Sequence, residues 1–370
     1  MTEADTPARQ AIVSQLQYTQ GIFTTAEQAN GQVGLVELSN IQEKKDGATK
    51  TISYKAALPV LFPKRATVPT KYALALPKDA TKLQAFNAKY DQKCGNNEYG
   101  VETFWHDFNP KATGCTLDEA DVVRPNAAVR LHPKTTTDKY PEYSEIWKDD
   151  SLDIVAVFGI ISSNTPSDEG ARERESVIRR IQGSLTDAKR VDNTPGRSAI
   201  SDSTVTGTIM VGGKKRNVKL DAILVQEVAS TGADFDERFG AATEKADFVV
   251  YSGHSGLGKN INALAQKARV AKGKYQLEYL NGCQTFAYLG DALQQKKIAA
   301  NPEDAAGTKY LDIVANALPA YGDDGDTIIT LYESMTKYAS GPKTYNQLLQ
   351  SFSSRHLVAV FGEDDNAFKP

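Results

Sequence analysis

From Ser151 onward, short apolar runs of strand length alternate with charged segments of helical length. This alternation limits the fold more than any other feature, because it is typical of βαβ units and a mainly parallel sheet. The first run is LDIVAVFGII at residues 152–161, and further runs occur at residues 247–252 and 275–280. We therefore expect residues 150–370 to form an α/β domain in which helices flank a mainly parallel sheet.

Residues 1–145 have a different pattern, because nine of the 15 prolines lie in residues 1–150. Proline removes a backbone N–H group and disfavours long helices. Strand-like segments occur at residues 34–38, 51–57 and 127–131. We expect this part of the chain to be a β-rich accessory domain or prodomain.

The charge balance and the hydropathy exclude two classes of partner. Lys and Arg together number 43, Asp and Glu number 46, and the formal net charge is −3. No long block of one sign is present that could attract nucleic acid or an anionic membrane. Because no run of eighteen apolar residues occurs either, we expect no membrane span.

Cys94, Cys115 and Cys283 are too few for a disulfide framework and too far apart for a typical zinc site. We predict a Cys94–Cys115 bridge, which would close a loop and stabilise the fold by about 3 kcal/mol. Such a bridge implies an exported protein, periplasmic or secreted. Its signal would be absent from this chain, because residues 1–10 are polar and no apolar segment follows them. The alternative is two unpaired thiols in a cytoplasmic protein.

Two glycine-containing turns follow predicted strands and carry residues with catalytic chemistry. SGHSG places His254 after the strand at residues 247–252, and LNGCQT places Cys283 after the strand at residues 275–280. The carboxyl ends of parallel strands meet at one edge of a sheet, where neighbouring strands are about 4.8 Å apart. A helix predicted at residues 285–295 would favour the Cys283 thiolate through its N-terminus. These positions predict a Cys–His dyad.

The two turns resemble the signature of the caspase-like peptidase clan, which includes caspases, legumains, gingipains, clostripain and bacterial CHAT domains. In that clan, one apolar strand ends in a Gly-His-Gly-like turn, and a second ends in a small residue followed by Cys. SGHSG and LNGCQT match this signature, and the resemblance covers residues 151–339. The chain departs from the signature at Ser255, where the clan usually has Gly, and at Gly282, where it usually has Ala.

The resemblance implies a cysteine endopeptidase that hydrolyses a polypeptide substrate without a metal or cofactor. Cys283 would attack the peptide carbonyl and form a thioester, while His254 would protonate the leaving amine. The backbone N–H groups of Ser255 and Cys283 would bind the oxyanion. Asp168 and Arg172, from the loop after the first strand, are candidates for binding the residue before the scissile bond (P1). The first suits a basic P1 residue and the second an acidic one, so the specificity stays open.

Other functions are compatible with the same turns. The chain could be a caspase-like binding module without catalytic activity. GHSGLGKN, at residues 253–260, approaches a nucleotide-binding P-loop but has Asn260 where that motif needs Ser or Thr. GHSGL also approaches the nucleophile elbow of α/β-hydrolases, with Ser255 as nucleophile and His356 as base. The acidic run YGDDGD, at residues 321–326, could bind Ca²⁺ or form a solvated loop.

Residues 186–203 form a polar segment between two predicted elements. The segment contains Pro195 and Gly196 and few apolar residues, which is typical of an exposed loop. Proteolytic nicking concentrates in such loops. We therefore expect a processing site there.

Overall fold

The computed structural model describes residues 7–62, 67–96, 100–131, 138–162, 166–353 and 356–370. The chain divides into two compact units. Unit 1 comprises Met1–His132 and Ala287–Gly290, and unit 2 comprises Pro133–Phe286 and Asp291–Pro370.

Unit 1 combines helices with short antiparallel strand pairs. Its helices are α1 (Pro7–Leu16), α2 (Tyr18–Glu27) and α3 (Leu83–Cys94). Its strands are β1 (Asn30–Gly31), β2 (Glu37–Asp46), β3 (Thr49–Ala57), β4 (Val60–Leu61), β5 (Lys71–Ala73), β6 (Leu76–Pro77), β7 (Val122–Val123) and β8 (Asn126–Ala128). β1 pairs with β4, β2 with β3, β5 with β8, and β6 with β7.

Helices α1 and α2 lie where the sequence indicated strands and loops. Pro7 is the first residue of α1, a position at which the missing N–H group costs no helical hydrogen bond. Ile12, Leu16 and Ile22 are buried in the core of unit 1, so packing stabilises both helices. The predicted β-rich character of this part of the chain is therefore not confirmed.

The core of unit 1 contains a cluster of aromatic side chains and the predicted disulfide. The rings of Tyr18 and Phe86 contact each other edge to face, with centroids 5.6 Å apart. Cys94 is buried in the same core and forms a disulfide with Cys115, with the two Cα atoms 4.8 Å apart. The bridge links the end of α3 to the loop before β7.

Unit 2 is built on a mainly parallel sheet. Its strands are β9 (Ser151–Gly159), β10 (Thr186–Asn193), β11 (Ala199–Val211), β12 (Lys214–Val225), β13 (Phe248–Ser252), β14 (Gln276–Asn281), β15 (Leu311–Asn316) and β16 (Val358–Phe361). They are ordered β10–β11–β12–β9–β13–β14–β15–β16. The neighbours from β12 to β15 are parallel, whereas β10, β11 and β16 pair antiparallel at the two sides.

Helices flank this sheet, as the alternating sequence pattern predicted. They are α4 (Tyr143–Ile146), α5 (Glu169–Ser184), α6 (Ala233–Thr243), α7 (Lys259–Lys267), α8 (Ala292–Ala300), α9 (Asp326–Lys337) and α10 (Tyr345–Ser351). Val177 of α5 and Leu331 of α9 are buried in one core with Ile154 and Phe158 of β9. In the described part of the chain, no helix has the length and apolar character needed to cross a membrane.

The expectation of an exposed loop at residues 186–203 is wrong. These residues form β10 and the start of β11, and Pro195 and Gly196 lie in the turn between them. The guanidinium of Arg190 lies 2.8 Å from the carboxylate of Glu175 in α5, so polar side chains also fix β10. An edge strand with polar residues on both faces lacks the apolar alternation that identifies a strand. The predicted processing site is therefore restricted to the exposed turn at residues 194–197.

Candidate active site

His254 and Cys283 follow two neighbouring strands of the sheet in unit 2. β13 and β14 pair in parallel up to Ser252 and Asn281, which are register partners. Beyond this pair, the backbone N–H group of Gly253 donates to the carbonyl oxygen of Asn281 at 3.0 Å. His254 and Cys283 each lie two residues after the register partners. The structure therefore brings both predicted residues to equivalent positions at the carboxyl edge of the sheet.

The His254 side chain is exposed, and its ring is held by a hydrogen bond to the backbone. Nε2 lies 2.9 Å from the carbonyl oxygen of Ile161. A carbonyl oxygen only accepts, so Nε2 carries the hydrogen and the neutral ring keeps its lone pair on Nδ1. The carbonyl oxygen of His254 accepts from Tyr251 Oη at 2.6 Å and from Asn260 Nδ2 at 2.8 Å. These contacts fix the turn and leave Nδ1 as a proton acceptor.

Cys283 carries an exposed free thiol between two constrained residues. A Cβ atom on Gly282 would lie 2.8 Å from the carbonyl oxygen of Gly253 and 3.3 Å from Ser255 N. Gln284 has φ +54°, a left-handed conformation that residues other than glycine rarely adopt. Strained backbone of this kind is concentrated at functional sites. The two neighbours thus restrict the direction in which Cys283 projects.

The prediction of a regular helix directly after Cys283 is wrong. Thr285–Tyr288 is a 3-10 helix of 4 residues, and α8 starts only at Ala292. Ala287–Gly290, which begin within this 3-10 helix and end before α8, belong to unit 1, so the chain leaves unit 2 before a longer helix forms. Stabilisation of the thiolate by a helix N-terminus therefore does not apply at this position.

Two backbone N–H groups lie close to the thiol-bearing turn. Those of Ser255 and Cys283 donate no hydrogen bond to any described residue. Ser255 N is also near Gly282, because a Cβ atom added to Gly282 would lie 3.3 Å from it. N–H groups without an acceptor are available to an oxygen atom of a bound molecule. Both groups therefore remain candidates for binding an oxyanion.

A chain of buried polar side chains adjoins the two turns. Ser252 Oγ donates to Glu173 Oε2 at 2.7 Å and accepts from Asn281 Nδ2 at 3.0 Å. Asn316 Nδ2 donates to Asn281 Oδ1 at 2.7 Å and lies 3.4 Å from the carbonyl oxygen of Gly282. Burial raises the pKa of Glu173 to about 8. This network connects α5 with the ends of β13, β14 and β15.

Asp168, predicted to bind substrate, is engaged within the loop after β9. It is 4% exposed. Its carboxylate accepts hydrogen bonds from the backbone N–H groups of Ile161, Ser162 and Gly170. Asp168 thereby caps α5 and also holds Ile161, whose carbonyl oxygen contacts His254.

Arg172, the second predicted substrate-binding residue, is exposed on α5. It lines a surface depression together with Pro166, Glu175 and Asp324. His254 and Cys283 are not among the residues that line this depression. The surface position of Arg172 on α5 therefore does not support a role for it beside His254 and Cys283.

A cleft of about 210 Å³ adjoins His254 on the side of β9 and β12. Its lining consists of residues 159–162, Gln226, Glu227, Tyr251, His254 and Asn260. Glu227 was not among the residues predicted from the sequence, although a signal for it exists. It follows β12 closely, and β12 is parallel to β9, so Glu227 lies at the same carboxyl edge as His254.

The P-loop and nucleophile-elbow alternatives find little support in the same residues. Asn260, at the position of the P-loop Ser or Thr, is 1% exposed, and its side chain holds the carbonyl oxygen of His254 and a backbone N–H group. Ser255, the possible elbow nucleophile, is buried, and His356 Nε2 lies 3.6 Å from Asp323 Oδ2. Across the described ranges, His, Cys, Asp and Glu side chains form no group of three that could hold a metal ion.

A scan against protein-family models gives no match for this chain, and a search of curated proteins finds no similar sequence. The basis for a function is therefore the set of groups at one edge of the mainly parallel sheet. These are an exposed thiol, an exposed imidazole whose tautomer is set by a hydrogen bond, and a cleft that carries a carboxylate.

Proposed function

We propose that this protein is a cysteine endopeptidase of caspase-like fold that uses Cys283 and His254 as a catalytic dyad. The observation that carries the proposal is the equivalent position of the two residues after adjacent parallel strands, with both side chains exposed. Because neighbouring strands are about 4.8 Å apart, a thiol and an imidazole at such positions can act on one peptide bond.

The reaction begins when Nδ1 of His254 accepts the proton from Sγ of Cys283. The thiolate then forms a bond to the peptide carbonyl carbon, the C–N bond breaks, and the imidazolium gives its proton to the departing amine. In the second step, His254 accepts a proton from water, whose oxygen attacks the thioester carbon. The C–S bond then breaks, and the imidazolium returns its proton to Sγ of Cys283. The hydrogen bond from Nε2 to Ile161 orients the ring throughout and stabilises the imidazolium.

The tetrahedral intermediates of both steps carry a negative oxygen that needs hydrogen-bond donors. The N–H groups of Ser255 and Cys283 are suited to this role, because neither donates to a described residue. Removing one such donor in a peptidase typically slows catalysis by about 10²–10³-fold.

We also propose that the protein is exported. The Cys94–Cys115 disulfide supports this location, because disulfides persist in oxidising compartments and are rare in the cytosol. Recovery of the native protein from a cytosolic fraction with both thiols reduced would contradict the proposal.

The test of the dyad uses Cys283→Ala and His254→Ala with a proteome-derived peptide library. Wild type should cleave peptides, and both variants should lose this activity. Because Cys283 is exposed, its replacement by Ala should leave the melting temperature nearly unchanged. A large loss of stability in Cys283→Ala would instead indicate a structural cysteine.

A second measurement detects an activated thiol without a substrate. Iodoacetamide should alkylate Cys283 in wild type faster than it alkylates the same cysteine in a synthetic LNGCQT peptide. The advantage should disappear in His254→Ala. Equal rates for wild type, variant and peptide, together with an uncut library, would favour an inactive binding module.

A further inference from the structure

The cleft beside His254 lies on the side of the imidazole away from Cys283. In the strand order β12–β9–β13–β14, Glu227 follows β12, residues 159–162 are at the end of β9, His254 follows β13, and Cys283 follows β14. The nucleophile, the acid–base group and the cleft are therefore arranged in sequence along the carboxyl edge of the sheet.

This order gives the cleft a defined place relative to a bound peptide. In the proposed reaction, Cys283 attacks the carbonyl carbon, and His254 delivers a proton to the departing amine. The residues after the scissile bond, P1′ and P2′, are attached to that amine. They therefore extend past His254 toward the ends of β9 and β12, where the cleft lies.

The charge in the cleft comes from Glu227. Its side chain makes no hydrogen bond or ion pair with a described residue, and Glu227 is an exposed residue. Among the described residues that line the cleft, none is a lysine or arginine. An unpaired carboxylate beside a bound peptide favours a cationic side chain and disfavours an anionic one.

The size of the cleft suits one side chain. Its volume of about 210 Å³ is smaller than the roughly 300–1,000 Å³ of pockets for drug-sized ligands. Residues 159–162 are part of its lining, and a space of this volume admits one long, thin side chain. Lysine and arginine combine this shape with a positive charge at the tip.

We propose that Glu227 selects peptide substrates that carry lysine or arginine on the leaving-group side of the scissile bond, at P1′ or P2′. This specificity rests on the proposed peptidase function. It differs from selection at P1, because the cleft and the nucleophile lie on opposite sides of His254.

The test compares cleavage sites in a proteome-derived peptide library for wild type, Glu227→Gln and Glu227→Lys. Internally quenched peptides that differ only in Arg, Ala or Glu at P1′, and a second series at P2′, then give kcat/KM ratios. Wild type should prefer Arg over Ala by about tenfold or more at one of the two positions. Glu227→Gln should lose this ratio, and Glu227→Lys should prefer Glu. Glu303→Gln, at an exposed glutamate outside the cleft, should keep the wild-type ratios.

The outcomes separate the two proposals. Cleavage that depends on Cys283 but shows no preference for a basic P1′ or P2′ residue would overturn the specificity and leave the peptidase standing. An unchanged Arg/Ala ratio in Glu227→Gln would also overturn it. If wild type cleaves no peptide in the library, both proposals fail.

Discussion

Ser252 Oγ lies 2.7 Å from Glu173 Oε2, and this hydrogen bond connects β13 with α5 in the interior of unit 2. Ser252 precedes His254 by two residues, and Asn281, which donates to the same Oγ, precedes Cys283 by two. Both residues of the proposed dyad therefore follow strands whose last residues belong to one buried network that contains a carboxyl group. The protonation state of Glu173 determines whether that network holds a neutral acid or a buried charge.

We expect Glu173→Gln to change the pH dependence of stability. Burial raises the pKa of Glu173 from 4.5 to about 8. Between these values the folded chain keeps a proton that the unfolded chain has released. The stabilisation from Glu173 is therefore complete below pH 4.5 and is lost as the pH rises through the folded-state pKa of about 8. Relative to the variant, the unfolding free energy of wild type should fall by up to about 1.4 kcal/mol per pH unit in urea titrations across this window.

The difference between the wild-type and Glu173→Gln curves of unfolding free energy against pH isolates the contribution of Glu173 from that of the other buried acids. Burial raises the pKa of Asp247 and of Asp312 to about 7, but both groups are present in wild type and variant alike. Glu303→Gln, at an exposed site, is the matched control and should give a curve parallel to that of wild type. Parallel curves for Glu173→Gln and wild type would mean that Glu173 is already ionised in the folded protein.

Gly282→Ala tests the close approach of the two turns. The added Cβ would lie 2.8 Å from the carbonyl oxygen of Gly253 and 3.0 Å from Cγ2 of Thr285, so one turn must move. Overpacking of this kind costs about 1–3 kcal/mol. We expect a lower unfolding free energy in urea and slower cleavage of a reference peptide, although the clan that the turns resemble usually has Ala at this position.

Gly183→Ala is the control for the change from glycine to alanine. Nothing lies within 4 Å of a Cβ atom on Gly183, which is part of α5. Alanine is favoured over glycine in a helix by about 1 kcal/mol, so this variant should be slightly more stable than wild type. If Gly282→Ala were equally stabilised, the described contact between the turns would be incorrect.

The centre of the sheet could be predicted from the sequence, because β9 and β13 are largely apolar runs and β14 carries apolar residues at Leu277, Tyr279 and Leu280. β10 was missed because its pairing satisfies the backbone while its side chains are mostly polar. The helix expected at residues 285–295 fails for another reason. Residues 287–290 within it belong to unit 1, and a local pattern does not encode that tertiary constraint.

At the candidate site, His254 and Cys283 could be placed because their position follows from where two strands end. Glu173 could not, since its contact with Ser252 depends on how α5 packs against the sheet. The role of Asp168 in binding substrate stays a prediction, and local backbone N–H groups satisfy its carboxylate, as is typical of an Asp that caps a helix. Strand ends therefore predict where side chains come together better than loop charges do.

The Cys94→Ala, Cys115→Ala double variant should lose stability within unit 1. The bridge closes a loop with a sequence separation of 21 residues, and its removal should cost about 3 kcal/mol through loss of the constraint on the unfolded chain. Amide hydrogen exchange on the full chain should show faster exchange in α3 and little change in β13 and β14. Cys283→Ala is the control that removes a cysteine without removing the bridge. Uniformly faster exchange in both units would contradict an effect confined to unit 1.

Asp168→Ala should slow peptide cleavage by acting through His254. The Asp168 carboxylate accepts from Ile161 N at 3.1 Å, and the carbonyl oxygen of Ile161 in turn holds His254 Nε2. Without the carboxylate, the imidazole loses its fixed orientation. We expect kcat to fall about tenfold at nearly constant KM, since a misplaced acid–base group weakens proton transfer more than binding. Loss of the helix cap should lower the unfolding free energy by about 1–2 kcal/mol.

Two comparisons separate this positioning role from a role in binding substrate. Asp168→Asn keeps one acceptor oxygen for the backbone N–H groups, so it should retain more of kcat than Asp168→Ala does. A pair of peptides with Lys or Ala at P1 should lose activity equally in Asp168→Ala, because the positioning acts on His254 and not on the substrate. A loss confined to the Lys peptide, with a raised KM, would instead place Asp168 in a P1 pocket, since removing a residue that pairs with a substrate charge weakens binding selectively.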